Sequence, residues 1–313
     1  MVNIGFIGCH EISKSCLKKI CELAKIHNDI ISLVINYPPE KSSRYSAYAN
    51  FDDLQKQFNL PIYFFSDVSK PNVISLLKNS NLDILFIIGW HRIVPLSVLE
   101  TALIKLGIHS SYLPKDRGSS PINWQIIRGE DQGGTTLFHL TPGVDSGNIV
   151  DQEKFSISLN DNIRDVYAKA THVSIRLLET NWNDIHNLKP KSILQDESKH
   201  TINAIRRPSD GIINWNNSSL TCYNLIRGLT HPYPGAFTFW NEKKIFIWVS
   251  QLSKLSPKKP GIIIEIGDKI VVSTGKNCLE IISLQIENEL ILSAKDFILF
   301  YNLKINEIFN SNN

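Results

Sequence analysis

The chain has 313 residues, of which 42% are hydrophobic and 20% charged, and its formal net charge is +3. Such a composition is typical of a folded protein large enough for two domains, and it excludes a strongly basic surface for nucleic acid. No apolar run reaches the ~18 residues that predict a membrane-spanning helix. The opening residues MVNIGFIG lack the basic segment and cleavage site of a signal peptide, so we expect a cytoplasmic protein that begins with a strand.

The first half of the chain alternates short apolar strands with helical patterns. Strands are predicted over residues 2–7, 29–37, 60–65, 82–89 and 135–140. Helices are predicted over residues 10–24, 51–58 and 71–78, and a longer one, capped by Asn160 and Asp161, runs to about residue 181. This alternation predicts an α/β fold with a Rossmann-like parallel sheet, whose active crevice lies at the carboxyl ends of the strands.

The second half has a different pattern. Residues 189–207 are polar and irregular, residues 223–229 have a helical pattern, and the last twenty or so residues are predicted to be a tail with one helical turn around residues 296–301. Strands are predicted over residues 236–240, 243–252, 261–266, 269–275 and 278–286. Short strands at near-regular spacing favour a small barrel or sandwich. We therefore predict a catalytic domain over residues 1–190, a linker over 191–205 and a smaller C-terminal β domain over 206–313.

Several common site types are absent from the sequence. The motif Gly5-x-x-Gly8 is not a dinucleotide fingerprint, and no acidic residue closes the second strand at Asn36 or Tyr37. A P-loop, a His-Glu zinc motif and a G-x-S-x-G elbow are also missing. The cysteines form no C-x-x-C pair, which favours buried thiols in a reducing compartment over disulfides or zinc. They are Cys9, Cys16, Cys21, Cys222 and Cys278.

Three polar clusters carry the candidate chemistry. The stretch GIHSSYLPKDRGSSPINW, residues 107–124, is predicted to be a loop because Pro and Gly interrupt both helix and strand periodicity. Within it His109 is a candidate general base. The stretch FHLTPGVDSGNIV adds His139 and Asp145, and the third cluster combines RRPSDGIINW with HPYPGAF. The residues by themselves leave open whether His109 and Asp145 form a catalytic pair or merely cap a loop and a turn.

The order of these motifs resembles the 10-formyltetrahydrofolate-dependent formyltransferase family. The resemblance rests on GIH-S-LP-RG-P-W, the Asp-x-Gly element, RRPSDGIINW and IRGLTHPYPGAFTFW, and on the closing segment LEIISLQIENELILSAKDF. It covers nearly the whole chain and includes both the sugar N-formyltransferases and the related methionyl-tRNA formyltransferases. It implies that the C-terminal domain is an OB-like β-barrel and that 10-formyltetrahydrofolate is the formyl donor.

The resemblance also implies a catalytic set of an asparagine, a histidine two residues later and an aspartate on a following loop. Carried over by position, the histidine is His109 and the aspartate is Asp145, but Gly107 stands where the asparagine is expected. Part of the sugar branch carries Gly-x-His here, so the departure is not taken as inactivation. Loss of one oxyanion donor costs ~2.7–4 kcal/mol in other enzymes. Ser111, Asn123, a backbone amide or water are the candidates to replace it.

The implied reaction is acyl transfer to an amine. His109 would take the amine proton or help hold the oxyanion, Asp145 would orient its ring, and no metal is expected. The resemblance assigns the folate to the loop around Gly89, Trp90, Ile93, Val94 and Pro95, and to Gly143 and Val144. Trp90 is read either as core or as a cleft wall, and Arg117 either as an anchor of its loop or as a ligand contact. Further substrate contacts are expected from Arg206, Arg207 and Tyr233.

The acceptor is the open question. A tRNA-modifying enzyme is expected to carry a basic loop after the second strand, but residues 36–53 hold Lys41 and Arg44 against three acidic residues. We therefore favour a nucleotide-linked amino sugar, with a 4-amino-4,6-dideoxy sugar as the expected type, over initiator methionyl-tRNA. A non-catalytic folate or nucleotide-sugar binding protein is a third reading. A homodimer is an option that the sugar branch suggests, and neither nucleic acid nor membrane is an expected partner.

Overall fold

The computed structural model describes residues 1–44 and 46–311. The strands are β1 Asn3–Ile7, β2 Ile30–Asn36, β3 Ile62–Phe64, β4 Leu82–Ile88, β5 Ala102–His109, β6 Arg117–Gly118, β7 Gln132–His139, β8 Ile149–Ser156, β9 Ile202–Asn203, β10 Ala236–Trp240, β11 Lys243–Ser253, β12 Ile263–Ile266, β13 Ile270–Ser273, β14 Cys278–Ile286 and β15 Leu292–Ser293. The helices are α1 Glu11–His27, α2 Asp52–Phe58, α3 Pro71–Asn79, α4 Leu96–Leu99, α5 Pro121–Arg128, α6 Ile163–His186, α7 Ser219–Leu229 and α8 Ala294–Tyr301.

The chain divides into two compact units. The first contains Met1–Pro121, Gln132–Ser156 and Tyr167–Ala204. The second contains Ile122–Asp131, Ile157–Val166 and Ile205–Asn313. In the part of the chain that the structure describes, none of the helices combines the length and the apolarity needed to cross a bilayer.

A seven-stranded sheet forms the centre of the first unit, with strand order β3-β2-β1-β4-β5-β7-β8. In the order β3-β2-β1-β4-β5 each strand is parallel to the next, as predicted, and this confirms the α/β class. Side chains alternate between two buried layers: Phe86 packs with α1 and α6, whereas Leu85 and Ile87 pack with α3 and α4 on the opposite face. Because both faces are covered, the strands are apolar throughout and were visible as continuous runs in the sequence.

The far edge of this sheet differs from the predicted parallel arrangement. Strand β7 is antiparallel to β5, and β8, which the sequence did not predict, is antiparallel to β7. Charged residues such as Glu153 and Lys154 occupy β8 because its outer half is exposed, and they conceal the strand pattern. The stretch 107–124 is also less of a loop than predicted, since it begins inside β5 and ends inside α5.

The predicted linker packs onto the first unit over most of its length. Ile193 exchanges two backbone hydrogen bonds with Ile149, and β9 pairs in parallel with β6. The Thr201 hydroxyl accepts a hydrogen bond from the Asp116 amide at 2.8 Å. Backbone pairing of this kind does not depend on an apolar side-chain pattern, so a polar segment gave no sign of it.

The second unit includes two stretches that we expected in the catalytic domain. In α5, Asn123 donates to the Gly228 carbonyl at 2.8 Å. Arg227 of α7 donates to the carbonyls of Ser158 and Asp161. These contacts explain why the short segments around residues 122–131 and 157–166 group with α7. The predicted cap of α6 also moves by one residue, because it is Asn162 that accepts a hydrogen bond from a first-turn amide.

An antiparallel sheet in the order β10-β11-β14-β13-β12 forms the core of the second unit. Residues 306–310, predicted to be part of a tail, complete it as a further extended segment. Asn310 exchanges two backbone hydrogen bonds with Phe239 of β10, and the segment also bonds to Gly261 and Ile263 beside β12. The segment therefore bridges the two edges of the sheet and closes a small barrel, with Phe309 buried at 1% exposure.

Candidate active site

His109 is the last residue of β5, at the carboxyl edge of the sheet, and its side chain is 11% exposed. The ring Nε2 lies 2.7 Å from the carbonyl oxygen of Asp116. Since a carbonyl can only accept, Nε2 is the nitrogen that carries a hydrogen in this conformation. The ring Nδ1 lies 3.5 Å from Oδ2 of Asp145. Both nitrogens therefore face oxygen acceptors.

Asp145 meets His109 as the sequence predicted, from the loop between β7 and β8. Its backbone has φ +47°, in the left-handed region that few non-glycine residues adopt. Oδ2 accepts a hydrogen bond from the Gly118 amide at 2.8 Å, which ties the loop to β6. The carboxylate thus has one fixed backbone donor and lies within ion-pair distance of the imidazole. The structure brings together the two residues of the predicted catalytic pair.

Gln195 and Arg117 form a buried clamp on the Asp145 loop. The Gln195 amide nitrogen donates to the carbonyls of Asp145 at 2.8 Å and Gly147 at 2.7 Å. Its Oε1 accepts from Arg117 Nε at 3.1 Å and Nη2 at 2.7 Å, and the same guanidinium pairs with Glu197. Of the two roles expected for Arg117, the anchor and the ligand contact, these contacts agree with the anchor. Its guanidinium bonds to the side chains of Gln195 and Glu197. Gln195 was missed because it lies in the segment read as a linker.

The two side chains proposed to replace the missing oxyanion donor have other partners. Ser111 is fully buried and its hydroxyl donates to the Lys115 carbonyl at 2.6 Å. Asn123 is fully buried in the second unit, where its amide nitrogen donates to the Gly228 carbonyl. The Ser111 hydrogen bond closes the turn after β5, and the Asn123 hydrogen bond joins α5 to α7. Neither donor is directed at a ligand in this conformation.

The space beside Gly107 is filled by Leu140. A Cβ built on Gly107 would lie 2.7 Å from Leu140 Cδ2 and 3.2 Å from the Ile87 carbonyl oxygen. Leu140 packs partly against the same apolar layer as Trp90 and Val94. An asparagine at position 107 would consequently require Leu140 to move. Leu140 thus occupies the space that an asparagine side chain at position 107 would need.

The loop after β4 contains the residues predicted to hold the folate. Gly89 has φ +61°, and a Cβ there would lie 2.4 Å from the Ser13 hydroxyl, so only glycine allows this close turn. Trp90 is half-buried and packs against the apolar layer under the sheet; its indole N–H is buried with no acceptor among the described residues. Ile93 is 78% exposed, while Val94 and Pro95 are half-buried. The loop presents a buried donor and an exposed apolar side chain.

The remaining predicted contacts fall in two places. Gly143 and Val144 lie on the Asp145 loop in the first unit, and both are exposed. In the second unit, the Arg206 guanidinium lies 4.8 Å from the centre of the Trp124 ring, and burial lowers its pKa. Arg207 precedes a 3₁₀ turn at Pro208–Gly211, where its amide donates to the Asp210 carboxylate. Tyr233 is half-buried there, and its amide donates to the Thr230 carbonyl.

A further polar cluster lies beside the folate loop. Cys9 and His10 follow β1, and His91 follows Trp90 after the neighbouring β4. The Cys9 sulfur lies 3.5 Å from His91 Nδ1 and 3.3 Å from the Gly89 carbonyl oxygen, to which it donates. Burial raises the pKa of Cys9 to about 12 and lowers the pKa values of His10 and His91 to about 4. No sequence motif indicates this cluster, because some eighty residues separate its two halves.

All five cysteines are buried and free, as the sequence predicted.

The family model for the formyl transferase domain matches residues 12–180, and the model for the formyl transferase C-terminal domain matches residues 206–302. The chain belongs to the formyl transferase family. The matched ranges contain both His109 and Asp145 and the strands of the second unit.

Two curated relatives are similar to the chain over most of its length. It is 32% identical over 286 residues to the bifunctional polymyxin resistance protein ArnA of Wigglesworthia glossinidia brevipalpis, covering 90% of this chain and 41% of ArnA. It is 28% identical over 305 residues to methionyl-tRNA formyltransferase of Alkaliphilus oremlandii, covering 95% of this chain and 96% of the relative. The chain thus spans about two fifths of the first relative and nearly all of the second.

A solved structure shares the fold. The N-formyltransferase of Helicobacter canadensis, in complex with folinic acid and dTDP-3-aminofucose, has a TM-score of 0.65 and 20% sequence identity. The similarity covers 90% of this chain and 99% of that one. At this identity the match concerns the fold, which confirms the arrangement of an α/β unit followed by an antiparallel β unit.

Proposed function

We propose that the chain transfers a formyl group from 10-formyltetrahydrofolate to the amino group of a nucleotide-linked amino sugar, with a 4-amino-4,6-dideoxy sugar as the expected type. The observation that carries the proposal is the His109–Asp145 pair, in a member of the formyl transferase family, at the carboxyl edge of the sheet. Parallel α/β sheets place their ligands at this edge.

His109 and Asp145 would manage the protons of the reaction. The Asp145 carboxylate stabilises a proton on Nδ1, and Nε2–H is then a donor of defined direction. Its present acceptor, the Asp116 carbonyl, would be exchanged for the substrate oxygen on which negative charge develops. To receive the proton released by the attacking amine, the ring would first be neutral, with its one hydrogen on Nδ1 directed at Asp145 and Nε2 free; the Nε2–H formed by that transfer is the donor described above. The clamp formed by Gln195 keeps Asp145 in place while the charge on the ring changes.

We infer that the loop after β4 binds the pterin of the folate donor, which is a flat heterocycle with polar edges. Trp90 has a buried indole N–H without an acceptor among the described residues, and Ile93 has an exposed apolar side chain. Gly89 allows the chain to turn closely at this point. We assign Gly89, Trp90, Ile93, Val94 and Pro95 to donor binding, together with Gly143 and Val144 on the Asp145 loop. When bound, 10-formyltetrahydrofolate supplies a formyl group already activated toward an amine.

The acceptor assignment rests on charge and on similarity. The segment 36–53 contains Lys41 and Arg44 against Glu40, Asp52 and Asp53, so it lacks the basic character expected of a tRNA-binding loop. The relative with 32% identity is ArnA, named for polymyxin resistance, and the similar solved structure contains a dTDP-amino sugar. The dTDP-amino sugar in the solved structure favours a small nucleotide-linked acceptor. We assign Arg206, Arg207 and Tyr233 of the second unit to recognition of this acceptor. Under this proposal the formyl transfer takes place in the cytoplasm.

Initiator methionyl-tRNA is the second candidate acceptor. One observation favours it: the similarity to methionyl-tRNA formyltransferase of Alkaliphilus oremlandii extends over 96% of that protein. The two candidates differ in the surface that each needs. A tRNA acceptor would show an affinity that falls steeply with salt, whereas a nucleotide sugar would depend on salt only weakly.

A direct comparison of acceptors tests the proposal. Purified protein is incubated with 10-formyltetrahydrofolate and either a panel of UDP-, dTDP- and GDP-linked amino sugars or charged initiator tRNA, and formyl product is followed by mass spectrometry. We expect turnover with one nucleotide sugar and none with tRNA. Turnover with tRNA alone would overturn the sugar assignment. Folate binding without turnover of any acceptor would favour a binding protein.

Two histidine variants test the mechanism. His109→Ala is expected to abolish turnover while folding normally, because it removes the proton carrier. His139→Ala is the matched control, since that ring lies at the end of β7, where its Nε2 lies 2.9 Å from the Lys191 carbonyl oxygen. A normal rate in His109→Ala would remove His109 from the mechanism. A fall of the same size in both variants would show that the loss is structural.

A further inference from the structure

The cluster of Cys9, His10 and His91 has the composition of a metal site. Strands β1 and β4 are adjacent and parallel, so the residues that follow them meet at one edge of the sheet. One ligand atom from each of the three residues lies within 4.8 Å of the others. Cys9 is buried and the two rings are half-buried, so the three donors converge beneath the surface of the first unit.

The separation of sulfur and nitrogen agrees with a shared tetrahedral ion. Zinc binds thiolate sulfur at ~2.3 Å and imidazole nitrogen at ~2.0–2.1 Å, which places the two atoms about 3.6 Å apart at a tetrahedral angle. The Cys9 sulfur and His91 Nδ1 are 3.5 Å apart. Two imidazoles on the same ion need nitrogens about 3.3 Å apart. The remaining separations are at most 4.8 Å, so binding requires these ligand atoms to move closer together.

We propose that Cys9, His10 and His91 bind one zinc-class divalent ion, with water or a small ligand in the fourth position. One soft sulfur and two imidazole nitrogens favour zinc over magnesium or calcium, which prefer oxygen. On binding, the Cys9 thiol releases its proton to solvent and gives up its hydrogen bond to the Gly89 carbonyl, and the thiolate forms the metal bond. The oxidation state of the ion does not change.

Such an ion would join two loops of the first unit. Cys9 and His10 lie between β1 and α1, and His91 lies in the loop after β4 that we assign to the folate. At present the Cys9 amide and the Cys9 thiol both donate to the Gly89 carbonyl, each at 3.3 Å. A bound ion would replace the thiol hydrogen bond with a stronger connection beside Trp90. The metal site is independent of the acceptor, so it stands or fails separately from the proposed function.

Metal binding by the whole chain tests the proposal directly. Protein stripped with a chelator is titrated with Co²⁺, and the sulfur-to-cobalt charge-transfer absorption is recorded; Zn²⁺ is then added in competition. We expect one equivalent of Co²⁺ to bind with a sulfur band and to be displaced by Zn²⁺. X-ray absorption of the zinc form is expected to show one sulfur at ~2.3 Å with nitrogen neighbours at ~2.0–2.1 Å. A spectrum with oxygen and nitrogen neighbours only would overturn the proposal.

Variants separate the proposed ligands from neighbouring groups. Cys9→Ala is expected to abolish the sulfur band, and His10→Ala and His91→Ala to weaken Zn²⁺ binding by more than the ~10–100-fold that the loss of an outer-shell partner costs. Cys16→Ala is the matched control, because it also removes a buried thiol of the same region but leaves the cluster intact. Thermal unfolding of each metal-free variant checks that it is folded. A band that persists in Cys9→Ala, or that is lost in Cys16→Ala, would overturn the assignment.

Discussion

Replacing Gln195 with leucine would release the Asp145 loop while nearly preserving side-chain volume. The change removes two hydrogen bonds to the loop, from the Gln195 amide nitrogen to the carbonyls of Asp145 and Gly147. It also removes the Oε1 acceptor that receives two N–H groups of Arg117. Gln195 is 9% exposed, so water cannot freely replace these partners.

The expected cost follows from the groups left without partners. A buried donor or acceptor that loses its hydrogen bond costs about 1–3 kcal/mol. Arg117 keeps its contact with Glu197, and the loop near Asp145 is partly exposed and can take up water, so the full sum is not reached. We therefore expect Gln195→Leu to lower the free energy of unfolding by about 2–4 kcal/mol. We also expect the rate of formyl transfer to fall by up to ~100-fold, because Asp145 is no longer held against His109.

Urea unfolding at neutral pH, followed by circular dichroism, measures the first effect. Ser192→Ala is the matched control on the same segment, since it removes one exposed hydrogen bond, from Asn148, and should change the free energy of unfolding by less than ~0.5 kcal/mol. Turnover with the acceptor that the panel assay selects measures the effect on the rate of formyl transfer, with kcat and KM determined separately. If Gln195→Leu were as stable and as active as Ser192→Ala, the clamp would have no role in holding Asp145.

Three further results are expected. Gly107→Asn should lower the free energy of unfolding by about 1–3 kcal/mol because its Cβ meets Leu140, and adding Leu140→Ala should recover part of that loss in a double-mutant cycle; additive effects would contradict the packing argument. Phe309→Ala should cost about 3–5 kcal/mol in urea unfolding, whereas Leu299→Ala, at 74% exposure, should cost less than ~0.5 kcal/mol; equal losses would mean that the closing segment is not part of the core. Burial lowers the pKa of His231 from 6.5, so its contribution to stability is fully present above pH 6.5 and decreases as the pH falls below it. A titration of His231 by NMR with a midpoint at or above 6.5 would contradict this.

Much of the fold is determined locally and could be predicted from the sequence. In β1 and β4 both faces are buried, so the strands are continuous apolar runs, and the apolar positions of α1 and α3 recur at helical spacing. The ordered motifs around His109 and Asp145 are also local in the sequence, and they indicated the family. These features depend on neighbours in the chain, and the sequence by itself was sufficient to predict them.

The direction of a strand and the partners of a polar segment are not local properties, and only the tertiary structure decided them. Strand β7 runs antiparallel to β5, and residues 306–310 close the barrel through backbone hydrogen bonds that leave no mark on side-chain pattern. Gln195 reaches Asp145 across fifty residues of sequence. Cys9 reaches His91 across eighty-two, because β1 and β4 lie side by side in the sheet. The sequence alone predicted that His109 and Asp145 meet, whereas the clamp on Asp145 and the cluster of Cys9, His10 and His91 depend on long-range contacts.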